Sequence, residues 1–221
     1  MTELSTPEKV IVAVRRAVAG LLTQNKFIVT VGGEHSVTVG AVRAYGEKYK
    51  NLSVLQLDAH ADLQPVYHGS PYNHGCVMAR VKEVCPIVQV GIRSMSADEL
   101  PSVEKGRIFM AQDIHDRIDL PTPRLRQAGW QARAIKPLTE QVYVTIDLDA
   151  FDPSLVPSTG TPEPGGLGRY QTLGFLKRVS RERQIVGFDV VELCPNPAVK
   201  SSDFIAVKLI YKLLSYICES K

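Results

Sequence analysis

Short, nearly continuous apolar runs recur along the chain, each followed by a stretch whose apolar residues return every three or four positions. The runs Phe27–Val31, Leu52–Leu57, Ile87–Val90, Arg107–Ala111, Val142–Ile146 and Ile185–Phe188 hold four to six residues each and are rich in Val and Ile. Continuity rather than alternation marks strands buried on both faces. Helical periodicity covers Pro7–Asn25, Ser36–Tyr49, Asn73–Val84, Tyr170–Arg183 and Asp203–Cys218. In the first of these Val10, Val14, Ala17, Val18 and Leu21 fall on one face, as Ile205, Leu209, Ile210, Leu213, Leu214 and Ile217 do in the last. Strands alternating with helices mean crossover connections. The expected fold class is therefore α/β, a three-layer α/β/α arrangement with a mainly parallel sheet. Only Pro153–Gly168 is long and irregular, and long loops in compact domains are usually functional.

With 221 residues and 44% hydrophobic composition, the chain is expected to form a single domain over residues 1–221. Twenty-six basic against 23 acidic side chains leave a net charge of +3, which gives no electrostatic reason to expect nucleic acid or a membrane surface as partner. No apolar run is long enough to span a bilayer. Glu3, Glu8 and the pair Arg15–Arg16 break any secretory-type apolar core near the start. Cys76, Cys85, Cys194 and Cys218 lie far apart with no C-x-x-C, so neither a zinc knuckle nor a disulfide framework is expected. A cytoplasmic location follows as the expectation.

Ligands in open parallel sheets bind beyond the carboxyl ends of the strands. Four strand ends here carry unusual chemistry: Gly32-Gly33-Glu34-His35-Ser36, Asp58-Ala59-His60-Ala61-Asp62, Asp147-Leu148-Asp149 and Asp189-Val190-Val191-Glu192. In an extended backbone, Asp58, His60 and Asp62 share one face, as do Asp147 and Asp149. A lone D-x-D is as readily a turn or helix cap, and His35 alone reads as an ordinary structural histidine. D-A-H-A-D directly after a buried strand is harder to explain that way, because two carboxylates and an imidazole buried together need compensating cations. Four carboxylates (Asp58, Asp62, Asp147, Asp149) would balance two divalent ions, with His35 and His60 neutral as ligands. A carboxylate-rich set with one imidazole per metal suits Mn²⁺ better than a thiolate-rich zinc set.

These motifs, with His74–Gly75, Asp147-Leu148-Asp149-Ala150-Phe151-Asp152-Pro153-Ser154 and the run Pro157–Leu167, resemble those of the ureohydrolases. The likeness is strongest to the agmatinase branch of the arginase/agmatinase/formimidoylglutamase superfamily. It implies an arginase-like fold and two Mn²⁺, one held by His35, Asp58, Asp62 and Asp147 and the other by Asp58, His60, Asp147 and Asp149, with Asp58 and Asp147 bridging. It further implies His74 as proton shuttle, Glu192 as the carboxylate gripping the guanidinium, and Thr161 as its neighbour in that pocket. The implied reaction is attack of a metal-bridging hydroxide on the guanidinium carbon of agmatine, giving urea and putrescine for polyamine biosynthesis. By the same resemblance the chain would form a homo-oligomer, a trimer or hexamer.

Guanidinobutyrase, arginase and formimidoylglutamase share the mechanism and are the nearest alternatives. A single-zinc deacetylase would leave His35, Asp62 and Asp149 unexplained, and a non-catalytic truncated paralogue would keep the motifs without the activity. The loop Leu63–Asn73 holds no Lys or Arg, which tilts the substrate tail toward an amine. Glu34 stands where many relatives have Asp, and Pro197-Ala198-Val199-Lys200 replaces a P-x-Y-D run expected near the pocket mouth. His68 and His115 read as loop histidines, Cys76 and Cys194 as buried inert thiols, and Trp130 as packing or interface. Six strands are counted where the family has about eight, the missing ones preceding Pro7–Asn25. Phe27–Val31 is therefore expected at an apolar sheet edge, paired on one side only.

Overall fold

The computed structural model describes residues 6–115 and 129–220. Thr6 caps the first helix, α1 (Pro7–Leu22), by accepting from the Lys9 N–H, and Pro7 starts it at the position where no N–H is needed. Strand β1 (Ile28–Val31) follows, then α2 (Val37–Lys48), β2 (Leu52–Leu57), a 3₁₀ turn His74–Cys76 leading into α3 (Val77–Val81), and β3 (Ile87–Ile92). After β4 (Ile108–Met110) come α4 (Ala111–His115), α5 (Trp130–Ile135), β5 (Gln141–Asp147), α6 (Arg169–Glu182), β6 (Gln184–Val191) and α7 (Ser201–Glu219).

Six strands form one sheet in the order β1-β6-β5-β2-β3-β4, and every pairing is parallel. The strands are wholly buried at their centre: all six residues of β2 and of β3 are buried. Side chains alternate between two cores. Leu55, Leu57, Val144, Ile146 and Phe188 meet α5, α6 and α7 through Trp130, Phe175, Leu176, Leu209 and Leu213. On the opposite face Val54, Ile87, Tyr143 and Val186 meet Ile11, Val18, Val42, Tyr45 and Met78 from α1, α2 and α3. This is the expected three-layer α/β/α fold, with the sheet entirely rather than mainly parallel among the described residues.

Among the described residues β1 pairs only with β6, so the expected sheet edge is present, and Val31 there is 70% exposed. The helix expected over Asn73–Val84 is shorter. The Met78 and Ala79 N–H groups donate to the Asp62 carbonyl rather than to a preceding helical turn, so regular helix begins only at Val77. Short helices at Ala111–His115 and Trp130–Ile135 escape notice in sequence because one or two turns give too few periodic positions. His115 ends α4 and donates through Nε2 to the Gly166 carbonyl at 3.1 Å, so it anchors the irregular loop rather than lying in one. Cys76 is buried, but Cys194 is exposed, because its segment leaves the sheet after β6. Trp130 packs in the core 4.7 Å from the Phe175 ring.

A row of polar residues crosses the otherwise apolar sheet. Thr30, Asp189, Thr145, Gln56 and Gln89 are register partners on β1, β6, β5, β2 and β3. Four of them are hydrogen-bonded along the row and to the site above it: Thr145 Oγ1 donates to Asp189 Oδ1 at 2.6 Å, Gln89 Nε2 to Gln56 Oε1 at 2.6 Å, and Gln56 Nε2 to Asp58 Oδ2 at 2.7 Å. The row lies two residues before Asp58 and Asp147. It forms the floor of the site.

Candidate metal centre

Four strand ends bring the charged residues to one place. His35 Nδ1 lies 3.2 Å from Asp58 Oδ2, 3.1 Å from Asp62 Oδ2 and 3.4 Å from Asp147 Oδ2. His60 Nδ1 lies 3.0 Å from Asp149 Oδ2 and 3.6 Å from Asp58 Oδ1. Asp58 thus turns one oxygen to each imidazole. Two sets of donors are close enough to hold an ion each, His35–Asp58–Asp62 and Asp58–His60–Asp149, with Asp58 common to both. Asp147 stands beside the first, its Oδ2 facing His35 and its Oδ1 accepting from the Asp149 N–H at 2.9 Å.

The local backbone differs from the extended path expected. Asp147 caps a 3₁₀ turn over Leu148–Ala150, and Asp62 adopts φ +54°. Short carboxylates reaching back to N–H groups two residues on favour such turns. Asp58 does the same to the His60 N–H at 2.7 Å. All six candidate ligands still converge, because each turn begins at the end of its own strand.

The donor set fits divalent ions. His35 is buried, and its Nδ1 has no hydrogen-bond partner, although three carboxylates surround it. Its Nε2 meets Thr145 Oγ1 at 2.9 Å, the kind of outer hydrogen bond that orients a ligating imidazole. Oxygen and imidazole donors without thiolates suit a hard or borderline cation. Residue types and positions both fit bound divalent cations.

Burial and crowding set the protonation of the metal-free cluster. Burial opposes a charge on His60, but Asp149 and Asp58 outweigh it and push the imidazole up to about 11. His35 is likewise raised, burial being overcome by Asp147, Asp58 and Asp62. Burial and the Asp58 charge push Asp62 up to about 7 and raise Asp147 and Asp149 as well. At neutral pH the metal-free site therefore holds protons on its imidazoles, and a cation must displace them. Metal affinity should rise with pH between 6 and 8, about tenfold per unit for each proton released. Calorimetric titration with Mn²⁺ in buffers of different ionisation enthalpy checks this; binding with no proton release would contradict it.

A cleft of about 430 Å³ opens over the cluster, lined by His60, Asp62, Gln64, Tyr67, His74, Gly75, Ser94, Met95, Ser96, Glu99, Asp147, Asp149, Gly160, Thr161 and Glu192. Its walls include five carboxylates, and no lysine or arginine among the described residues. Pro197–Lys200 are absent from that lining, contrary to their suggested place at the mouth. His74 Nδ1 lies 3.3 Å from Glu34 Oε1, and this hydrogen bond raises the imidazole pKa. Glu192 adopts φ +62° and accepts the His35 N–H at 2.6 Å, while burial raises its carboxyl pKa. Thr161 donates to Asp149 Oδ2 at 3.3 Å. His68 is exposed and outside the cleft lining.

Sequence reasoning overlooked Arg93, which lies just beyond β3, a fifth strand end. Its guanidinium donates to the carbonyls of Asp149 at 2.7 Å and Glu163 at 2.6 Å, tying the irregular loop to the cluster. Thr145 and Gln56 were also missed. A single polar residue inside an apolar run is the signal that marks them.

The parallel α/β fold with paired carboxylate–imidazole groups beyond its strand ends defines a hydrolase-like metal-site architecture. A profile of the arginase family matches residues 2–215, and the chain belongs to that family. It is 38% identical over 209 residues to N(1)-aminopropylagmatine ureohydrolase of Synechocystis sp., covering 92% of this chain and 65% of that protein. To the protein of the same name from Thermus thermophilus it is 42% identical over 193 residues, 86% of this chain and 62% of the other. The agmatine ureohydrolase structure of Thermoplasma volcanium aligns with a TM-score of 0.82 at 30% identity, covering 98% of this chain and 71% of that one. The chain spans less than two thirds of the length of these two curated relatives.

Proposed function

We propose that the chain is an amidinohydrolase that binds two Mn²⁺ and releases urea from agmatine or a closely related cationic guanidine. The observation that carries this reading is Asp58, with one oxygen toward His35 and the other toward His60. A mononuclear zinc site would give His35 and Asp62 no task. Bound there, the ions would supply acidified water and polarise the reacting centre. In this reading Asp58 and Asp147 would be shared between the ions, His35 and Asp62 would complete one ion's set, and His60 and Asp149 the other's.

The chain's own groups then place the substrate. Glu192 accepts two parallel N–H bonds from the guanidinium and fixes its plane over the cluster. Thr161 borders that pocket and steadies Asp149. His74 stands at the open side of the cleft, where it exchanges protons between solvent and the departing amine. His74→Asn should lower turnover about 100-fold with metal content unchanged. In Glu34→Gln, the His74 pKa should fall toward its ordinary value, because the hydrogen bond that raises it loses its charge. Proton NMR titration of the histidine ring resonances checks the second expectation, and an unmoved His74 would contradict it.

The acidic cleft supports a substrate tail carrying an amine over one carrying a carboxylate. Urea release from agmatine, N(1)-aminopropylagmatine, arginine and 4-guanidinobutyrate, with and without Mn²⁺, is the test. Metal-dependent release from the first two only is expected. No urea from any of them with a folded, metal-loaded sample would overturn the reading and favour a non-catalytic paralogue. Among the described residues no helix is long and apolar enough to cross a membrane. The four free cysteines suit a cytoplasmic setting. Phe204, Val207 and Tyr211 form an exposed apolar stripe on α7, which supports assembly into a homo-oligomer.

A further inference from the structure

Asp189 is fully buried in β6 and belongs to neither the substrate-binding groups nor the candidate ion ligands. Three hydroxyls converge on it. Thr145 donates to Oδ1 at 2.6 Å, while Thr38 and Tyr143 donate to Oδ2 at 2.9 and 2.8 Å. A hydroxyl has a single hydrogen. Once Thr145 gives its hydrogen to Asp189, its oxygen can only accept from His35 Nε2, 2.9 Å away. The neutral His35 ring must then carry its proton on Nε2. Its Nδ1 is left bare, facing Asp58, Asp62 and Asp147.

We propose that Asp189 is a positioning residue that fixes the His35 tautomer through the Thr145 hydroxyl, so that Nδ1 presents a lone pair to one of the two ions. The inference rests on the two-ion reading and deepens it, since it assigns a direction to each hydrogen beneath the site. It also explains why a carboxylate occupies the centre of an apolar sheet. Removing a buried acid normally relieves a cost, but here the acid determines which ring nitrogen can bind a cation. His60 has no link to Asp189, so the second ion's set lies outside its reach.

Asparagine at this position makes the idea testable. Its amide oxygen satisfies two donors if it turns toward Thr38 and Tyr143, which places the NH₂ against Thr145. Thr145 then directs its hydrogen at His35 Nε2, its nearest remaining acceptor at 2.9 Å against 3.3 Å to Thr38 Oγ1, and the ring proton moves to Nδ1, where it blocks the ion. Mn²⁺ titration of the full chain, followed by calorimetry and by EPR of free Mn²⁺, should show two sites in the wild type. In Asp189→Asn, one site should weaken about 10- to 100-fold while the other persists, which also shows that the variant is folded. Thr145→Val should weaken the same single site, Thr145→Ser should keep both, and Asp189→Asn combined with Thr145→Val should be no worse than either alone. Tyr143→Phe, which removes a donor without touching Thr145, should keep both sites.

Two unchanged sites in Asp189→Asn or in Thr145→Val would overturn the proposal, as would equal loss at both sites. If Asp189→Asn does not fold, the contrast between Thr145→Val and Thr145→Ser decides. A wild type that binds no divalent ion would instead defeat the two-ion reading itself.

Discussion

Asp58→Asn is expected to abolish turnover and to cut metal binding from two ions per chain to fewer than one. Asp58 is fully buried and is common to the two close donor groups, His35–Asp58–Asp62 and Asp58–His60–Asp149. Its two oxygens face different imidazoles, so a single substitution removes negative charge from both positions at once. The amide cannot adapt by rotation. Gln56 Nε2 donates to Oδ2 and the His60 N–H donates to Oδ1, each at 2.7 Å, so the new NH₂ meets a donor whichever way it turns. Turnover should fall by at least ~1000-fold, because the water whose pKa a bound ion lowers to about 7 is no longer supplied. Thermal unfolding gives an independent readout. An ion present at 100 times its dissociation constant stabilises a protein by about 2.7 kcal/mol, and this Mn²⁺-dependent rise in Tm should vanish in the variant. Two ions still bound tightly would contradict the shared role of Asp58.

Glu192→Gln is expected to damage the reaction in the opposite manner, with metal content preserved. Glu192 follows β6 in a left-handed conformation, φ +62°, in which its N–H donates to the Gly33 carbonyl at 2.8 Å and its Oε1 accepts the His35 N–H. A non-glycine residue held there is strained, and such strain is maintained where neighbouring contacts fix it. Glutamine keeps the oxygen that His35 needs, so the turn and both donor sets should survive. What it loses is the charge and one of the two acceptors opposite the guanidinium. Leaving one partner of a desolvated charge pair unmatched costs about 2–5 kcal/mol, so kcat/KM should drop by roughly 30- to 5000-fold. Metal analysis beside steady-state kinetics checks this. Loss of metal together with activity would show that Glu192 supports the ion set rather than the substrate.

The candidate ligands were legible in the sequence because they occupy strand ends, where burial next to charge is conspicuous. His35, Asp58, His60, Asp62, Asp147 and Asp149 stand out against apolar runs, and so does the alternation that makes the sheet parallel. The backbone path was not legible. Asp58, Asp147 and Asp62 bend it into turns through contacts only two residues long or through a left-handed φ, and no two-residue periodicity records either. The floor was also hidden. Gln56, Gln89, Thr145 and Asp189 are far apart in sequence, and only strand register aligns them. Arg93 was missed for a related reason: its acceptors are backbone carbonyls on a loop more than fifty residues away, and carbonyls carry no sequence signal. The edge position of β1, by contrast, followed from counting strands before Phe27, and the sheet order agrees with it.

The proposed role of Asp58 as the carboxylate joining two divalent ions is open to measurement by EPR of the full chain loaded with Mn²⁺, because two Mn²⁺ ions sharing a carboxylate are magnetically coupled. Saturation at two ions per chain with an exchange-coupled spectrum, lost in Asp58→Asn, is expected of that role. An isolated six-line Mn²⁺ spectrum at every loading, or saturation at a single ion, would contradict it.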